Sequence, residues 1–149
     1  MAANINPIFG KTPHLVVGGA IIGSNANTAT DGTGSNMYKI FDADATEGSF
    51  VYYVSLKPVS TIAATVARLW VCTDTGTFTA GTTNTAANTA LIAEATIAGW
   101  TASNTLSSPP YVITLNFPLQ AGQKLLMSFG TSTGASTTGF NPITVAMKY

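Results

Sequence analysis

Residues that could carry out catalysis are few in this chain. Histidine occurs once, as His14, and cysteine once, as Cys72. Nucleophilic catalysis needs a base beside the nucleophile, but His14 follows Pro13 at a strand start and the sequence contains no Gly-x-Ser-x-Gly turn. Cys72 ends an apolar strand, which is typical of a buried structural thiol. The sequence therefore predicts that the protein is not an enzyme.

Metal-binding residue types cluster in one short acidic turn. Asp42, Asp44 and Glu47 are close enough in sequence to suggest Ca²⁺. The turn lacks the central glycine and the distal glutamate of an EF-hand loop, and a solvated turn is the simpler interpretation. One cysteine and one histidine exclude a structural zinc site. We expect no metal and no cofactor.

Residues that could bind nucleic acid or sugars are also sparse. The six basic residues are scattered along the chain and balanced by six acids, so no basic stripe for nucleic acid is present. Trp100, in a predicted loop, and then Phe78 are the best candidates to stack on sugars, whereas Trp70 is predicted to be core. No apolar run approaches the ~18 residues of a membrane span, and the N-terminus lacks the pattern of a signal peptide. We expect synthesis in the cytoplasm and no membrane partner.

The low charge of the chain points to association with other subunits. Charged residues make up 8% of the sequence and the net charge is zero, where an ordinary soluble domain has about 25% charged residues. A surface of Thr, Ser, Asn and Gly dissolves but does not repel its neighbours. Burying such side chains at an interface is also less unfavourable than burying unpaired charge.

The pattern of apolar residues predicts a protein built from strands. Short β-rich segments alternate with Gly, Asn and Thr loops, and no convincing helix appears. Parallel sheets would need crossover helices, so the sheets must be antiparallel. The fold class is therefore all-β, a jelly-roll-like or Greek-key sandwich. The eight predicted strands are His14–Ile22, Met37–Phe41, Phe50–Leu56, Thr65–Cys72, Thr89–Ala98, Tyr111–Phe117, Lys124–Phe129 and Ile143–Lys148.

Two of these strands carry more specific expectations. Thr65–Cys72 places Val66, Arg68, Trp70 and Cys72 on one face and Ala67, Leu69 and Val71 on the other. Thr89–Ala98 would favour a helix in isolation, because it is rich in Ala and Leu. We predict a strand there, since Leu91, Ala93, Ala95 and Ile97 alternate between a Gly/Thr loop and Gly99.

An N-terminal arm, residues 1–13, precedes a single sandwich domain, residues 14–149. Prolines at 7 and 13 and a glycine at 10 exclude a helix. The arm carries Ile5, Ile8 and Phe9 on a backbone that Pro7 keeps extended. We therefore predict that Ile5, Pro7, Ile8 and Phe9 bind a partner, with backbone hydrogen bonds of strand addition supplying the remaining affinity.

Several segments of the chain resemble small structural proteins of tailed bacteriophage virions. They are MAANINPIFGKTP at 1–13, SFVYYVSLKPVS at 49–60, ATVARLWVC at 64–72, TALIAEATIAG at 89–99 and YVITLNFPLQAGQKLLMSFG at 111–130. The likeness is greatest to capsid decoration (cement) proteins with a jelly-roll-like fold. It is a likeness of style over most of the chain rather than a diagnostic motif.

That resemblance implies a non-enzymatic virion protein on the capsid surface, made in the host cytoplasm. Such a protein is an oligomer, commonly a homotrimer, that bridges major capsid protein subunits, and its N-terminal arm often reaches over neighbouring subunits. The alternative is a module of a phage tail fibre or receptor-binding structure, which contacts glycans through Trp100 and the Thr/Asn loops. High copy number on the particle would distinguish the first from the second.

Overall fold

The computed structural model describes residues 10–17, 21–22, 25–134 and 139–149, and all of its regular elements are strands. Each predicted strand is present, with bounds shifted by up to four residues, and Thr89–Ile97 is extended rather than helical. The first predicted strand is present as two pieces, and its predicted bend at Gly18-Gly19 lies outside the described residues. The strands are β1 Thr12–Val17, β2 Ile21–Ile22, β3 Tyr38–Asp42, β4 Ser49–Pro58, β5 Thr65–Cys72, β6 Thr89–Ile97, β7 Tyr111–Leu119, β8 Lys124–Phe129 and β9 Gly139–Lys148.

Two antiparallel sheets face each other. Sheet A has the order β1-β9-β4-β7, with β2 also paired to β9, and sheet B has the order β3-β8-β5-β6. The pairs β5·β6, β4·β7, β3·β8 and β1·β9 are those of one long hairpin folded at its middle, and β9·β4 and β8·β5 close the roll. This strand order is that of an eight-stranded jelly roll, and it confirms the predicted fold class.

The main core lies between the sheets and is made by the inward residues of every long strand. Leu69 of β5, Met127 of β8 and Val54 of β4 are fully buried there, and Phe129 stacks on Phe140 with ring centroids 5.1 Å apart. The alternation predicted for β5 is confirmed, since Ala67 and Leu69 belong to this core. Interdigitation of apolar side chains from both inner faces is what holds a sandwich together.

Register shifts interrupt the regular alternation of side chains in several described strands, and two of these β-bulges are in β4 and β6. In β4 the register with β9 slips between Val51 and Tyr53, so that Tyr52 is an extra residue. In β6 the register with β5 slips between Ala93 and Leu91. The sequence prediction that Leu91 shares a face with Ala93, Ala95 and Ile97 was therefore wrong for Leu91, because a bulge reverses the side to which the following residues point.

The chain's own loops cover the outer face of sheet B. Trp70 is fully buried there in a second apolar cluster with Met37, Cys72 and Leu126, against which Phe78 of the 73–88 loop packs. Its indole Nε1 donates to Ser128 Oγ at 2.9 Å. Burial of Trp70 was predicted correctly, but the cluster lies outside the sandwich. These loops thus cover much of the outward side of sheet B.

Asn84 joins the two covering loops to each other. It is 2% exposed, and its Nδ2 donates to the carbonyls of Gly32 and Gly34, 3.0 Å away in each case. Its Oδ1 accepts the N–H of Gly81 at 2.7 Å. The residues of the 25–36 loop are also tied to the sheet, since Arg68 donates to the Asn27 carbonyl at 3.1 Å.

The beginning of the chain enters the fold through β1. The strand starts at Thr12, and Lys11 N–H donates to the Lys148 carbonyl at 2.7 Å. Thr12 and Pro13, which the sequence places in the arm, therefore belong to sheet A. The predicted partner-binding residues Ile5, Pro7, Ile8 and Phe9 lie outside the described residues.

Candidate attachment surface

Outward side chains of sheet A form an uncharged set over three rows of the sheet. Outward side chains of β1, β9, β4 and β7 align across the sheet in three rows, according to the strand register. None of these twelve residues is charged, and nine of them are apolar or proline, with Tyr53, Ser55 and Thr114 as the others. The rows are Pro13-Met147-Phe50-Pro118, Leu15-Val145-Tyr53-Thr114 and Val17-Ile143-Ser55-Val112. We call this set the outer face.

Several of its side chains are exposed to a degree unusual for apolar residues. Leu15, Val17 and Val112 are 61%, 67% and 56% exposed. Single exposed apolar residues are ordinary, but a contiguous apolar patch bounded by polar residues marks an interaction surface. Lys57 and Asn141 form the next outward pair along β4 and β9 and bound the patch on one side. The outer face therefore has the composition of a docking surface for an uncharged partner.

An aromatic cluster anchors one end of the outer face. The rings of Phe50 and Tyr52 meet edge to face, with centroids 5.1 Å apart, and Tyr52 OH lies 2.9 Å from Met147 Sδ. Phe50 and Tyr52 are two residues apart and would share a face in a regular strand, and the bulge brings Tyr53 to the same side as a third aromatic side chain. Any side chain at Gly10 would overlap Met147, whose Sδ would lie 3.0 Å from its Cβ. The backbone at Gly10 thus packs against the outer face.

A concave feature lies at one end of sheet B. It is a cleft of about 510 Å³ lined by both polar residues and an aromatic ring. Lys124 in its wall is 3% exposed, and its ammonium donates to the carbonyls of Asp74 and Gly122. Lys39, also in the wall, pairs with Asp42 at 2.6 Å. Threonine hydroxyls beside a phenyl ring could hold a sugar. The residues concerned are Thr75, Thr77 and Phe78.

His14 packs against a core residue of the sandwich. Its ring packs on Phe41 with centroids 4.7 Å apart, and Nδ1 lies 3.3 Å from Ser49 Oγ. Burial, and then the nearby Lys148 ammonium, lower the pKa of His14 below its ordinary value, and Asp44 partly offsets this. The described contacts of His14, with Phe41 and Ser49, are typical of a structural residue.

Each acid of the predicted acidic turn has its own lysine. Asp44 pairs with Lys148 at 2.8 Å and also accepts the N–H groups of Thr46 and Glu47. The Lys148 hydrogen bond, followed by these backbone bonds, holds the pKa of Asp44 well below its usual range. Asp42 pairs instead with Lys39, and Glu47 with Lys11. Within the described part of the chain, no cluster of three His, Cys, Asp or Glu side chains could hold a metal ion.

The remaining candidate residues are partly or wholly buried. Cys72 is buried, with Sγ 3.9 Å from Asn88 Oδ1. Trp100 pairs through its backbone with Ile62, and its ring is half-buried against the main core. Phe78 is half-buried against the outer cluster of sheet B. Of the two predicted sugar-stacking residues, only Phe78 lines the cleft.

Comparison with known proteins finds similarity to solved structures only, and that similarity is weak. No family model matches the chain, and no curated protein matches it. It is similar to a chain of the cyanophage Pam1 capsid asymmetric unit, with 15% identity and a TM-score of 0.45, over 99% of this chain and 91% of that one.

It is also similar to the VP2 subviral particle of infectious bursal disease virus, with 14% identity and a TM-score of 0.32, over 99% of this chain and 37% of that one. Both structures are of viral particles. Because both TM-scores lie below 0.5, the jelly-roll assignment rests on the strand order alone.

Sequence reasoning missed the outer face, although a signal for it was present. The segments HLVVGGAII, FVYYVSL and ITVAM are apolar at both odd and even positions. In an antiparallel sandwich with one solvated face, strands should alternate apolar and polar residues. Strands that are apolar on both sides therefore indicate that the second face is covered by something. No described helix is long and apolar enough to span a membrane.

Proposed function

We propose that this chain is a non-enzymatic structural protein of a bacteriophage virion, which decorates the capsid surface and stabilises it by bridging major capsid protein subunits. The observation that carries the proposal is the uncharged, apolar outer face of sheet A. The jelly-roll fold is compatible with this role, since viral capsid domains use it, but lectin domains and cupins use it as well.

The physical basis of such a role is burial across a junction between subunits. Apolar surface removed from water contributes about 25 cal/mol per Å². A protein that binds only the assembled shell stabilises that shell by mass action, by about 2.7 kcal/mol per site at a free concentration 100 times the Kd. No reaction chemistry is required. The low charge of the chain suits close packing beside copies of itself, as a trimer, and beside the shell.

The predicted arm adds to this surface. Ile5, Ile8 and Phe9 are apolar residues, and the sequence of residues 1–9 contains no charged residue. We therefore propose Ile5, Pro7, Ile8 and Phe9 as partner-binding residues on the particle.

A pair of matched substitutions tests attachment through the outer face. Val17 on β1 and Leu106 on the 98–110 loop are 67% and 69% exposed, so replacing either with lysine should leave the sandwich folded. We expect Val17→Lys to weaken binding to purified particles at least tenfold, and Leu106→Lys to leave it unchanged. Equal binding of both variants would contradict attachment through this face.

Location and copy number on the particle test the role itself. Cryo-microscopy and quantitative mass spectrometry of virions should find the protein on the capsid in hundreds of copies, and particles stripped of it should release DNA at a lower temperature. A few copies at the tail tip would contradict decoration.

The cleft at the end of sheet B favours one second candidate, a glycan-binding module of a tail fibre or receptor-binding structure. Phe78 and the threonine hydroxyls of its wall are the groups that sugars use for stacking and hydrogen bonding. A glycan array with the wild-type chain and with Phe78→Ala tests it. Binding that Phe78→Ala abolishes would support this candidate, and absence of binding would exclude it.

A further inference from the structure

We propose that the cleft at the end of sheet B binds a sugar that carries a carboxylate, with the Lys124 ammonium as the partner of that carboxylate. The inference rests on the second candidate function, because it names the class of sugar for the same cleft. It does not depend on attachment of the outer face to a capsid.

Lys124 is a buried cation without an acidic partner. It is 3% exposed, and it takes part in none of the four ion pairs among the described residues. Its ammonium donates to the backbone carbonyls of Asp74 and Gly122. An ammonium has three N–H groups, so one of them has no acceptor among the described residues. A buried charge is strongly destabilising unless it is paired, and an anionic group of a ligand would pair with it.

The contacts of Lys124 place its ammonium at the wall of the cleft. Gly122 is itself a wall residue, and Asp74 directly precedes the wall residues Thr75 and Gly76. A Cβ at Gly122 would lie 3.2 Å from Thr75 Cβ, so the loop that contains Thr75 packs directly on the turn between β7 and β8. The carboxylate of Asp74 is engaged within its own loop, where Oδ1 accepts the Gly76 N–H at 2.8 Å. The ammonium is thus held where the loop, the turn and the cleft meet.

The other two charges of the cleft wall cancel each other. Lys39 and Asp42 form an ion pair, with Nζ and Oδ2 2.6 Å apart. Lys124 is the remaining charged residue of the described wall, so two lysines and one aspartate leave a single positive charge there. The chain as a whole has no net charge, and a carboxylate would therefore be held by direct contact rather than attracted from a distance. The cleft thus favours an anionic ligand over a neutral or cationic one.

The remaining wall residues favour a sugar over a simple anion. Thr75 and Thr77 contribute hydroxyl groups that both donate and accept hydrogen bonds, and Phe78 contributes an apolar ring on which the C–H face of a sugar stacks. The volume of about 510 Å³ lies within the range of small-molecule sites. A carboxylate, several hydroxyls and an apolar ring face occur together in uronic acids and sialic acids.

Titration calorimetry of the full chain tests the inference. The acidic probes are sodium glucuronate, sodium galacturonate and N-acetylneuraminate, and the comparison probes are glucose, galactose and sodium acetate. We expect at least one acidic sugar to bind with a Kd of about 1 mM or below, at least tenfold more tightly than the neutral sugars and acetate. No binding of any acidic sugar up to about 10 mM would overturn the inference.

Two matched lysine variants locate the binding. Lys124→Met removes the buried ammonium, whereas Lys57→Met removes an exposed ammonium outside the cleft wall that also takes part in no described ion pair. We expect Lys124→Met to weaken binding of the acidic sugar at least tenfold and Lys57→Met to leave it unchanged. If Lys124→Met does not fold by circular dichroism, Phe78→Ala tests the same site through the stacking ring and should also weaken that binding.

The remaining outcomes separate this inference from the glycan-binding candidate. Equal binding of acidic and neutral sugars would overturn the role of Lys124 and leave a glycan-binding cleft. Acetate that binds as tightly as the acidic sugars would mean a site for simple anions and would overturn the assignment to a sugar. Unchanged affinity in a folded Lys124→Met or in Phe78→Ala, or an equal loss in Lys57→Met, would overturn the assignment to this cleft.

Discussion

At the scale of single residues, several polar side chains of this protein stabilise the fold. His14 is neutral against Phe41, Asp44 closes a turn, and Asn84 joins two loops. Buried polar groups must find partners, because an unpaired one is strongly destabilising. The chemistry that the sequence seemed to offer at His14 and in the acidic turn is thus used internally.

Stability should fall on mild acidification because of His14. Its pKa in the folded protein is lower than the ordinary 6.5, so the unfolded chain takes up the proton first as the pH drops. The stabilising contribution is therefore complete above about pH 6.5 and is lost as the pH falls through the folded pKa. Urea unfolding between about pH 8 and pH 5 should show the loss, and His14→Gln should remove that slope. A wild-type midpoint that rises on acidification would contradict this account.

Asp44→Ala should lower the Tm far more than Glu47→Ala. Asp44 accepts two backbone N–H groups and pairs with Lys148, whereas Glu47 makes one exposed ion pair with Lys11. Because the pKa of Asp44 is lowered, its contribution is complete above about pH 4, and it is lost progressively below that pH as the unfolded chain takes up the proton before the folded protein does. Thermal unfolding at about pH 7 and about pH 3 should show a large difference between Asp44→Ala and wild type that shrinks in acid. A difference of the same size at both pH values would mean that ionisation of Asp44 is irrelevant.

At the scale of elements, the two sheets differ in how their outward sides are covered. Sheet B is covered by the 25–36 and 73–88 loops, with Trp70 and Cys72 beneath them. Sheet A leaves apolar side chains of β1 and β7 exposed. Long Thr/Gly/Asn loops that resemble candidate binding loops in the sequence are thus largely structural. The outer face is formed instead by the strands β1, β9, β4 and β7.

Loosening the loop cover should be measurable through Asn84. Asn84→Ala leaves the carbonyls of Gly32 and Gly34 and the N–H of Gly81 without this partner. Each buried group so orphaned costs about 1–3 kcal/mol, so we expect a loss of at least 2 kcal/mol in the free energy of unfolding. Thr82→Ala, on the exposed part of the same loop, should stay within about 0.5 kcal/mol of wild type. Chemical denaturation measures the free energy of unfolding of both variants. Similar losses would mean that Asn84 does not hold the two loops together.

At the scale of the whole molecule, the chain is a jelly roll with one closed side and one open side. Its low charge gives neither a repulsive surface nor a field that would steer a charged ligand. The β7 edge of sheet A is weakly guarded, since β7 contains no charged residue. We therefore expect the molecule to pack against others.

We expect the purified chain to self-associate, as a trimer, through a sandwich face or strand edge. Since the contacts are apolar, or between backbones, rather than ionic, raising the salt from about 0.1 to about 1 M should not dissociate it. Light scattering at tens of micromolar measures the mass. A monomer at all salt concentrations would contradict self-association in solution, and a trimer that salt dissolves would contradict the apolar contact.

Local patterns in the sequence were sufficient to predict the strands and the fold class. Alternation over Thr65–Cys72 and turn residues between segments depend on neighbours in the chain, so they can be recognised from the sequence. Even the helix-prone Thr89–Ile97 could be assigned as a strand from its flanks.

Only the tertiary structure decided which face the side chains take beyond a β-bulge. The bulges at Tyr52 and near Leu91 are defined by pairing with residues of other strands, not by neighbours in the chain. One extra residue reverses every side chain after it. The exposed outer face of sheet A, the buried Trp70 outside the sandwich and the neutral His14 all depend on that long-range pairing.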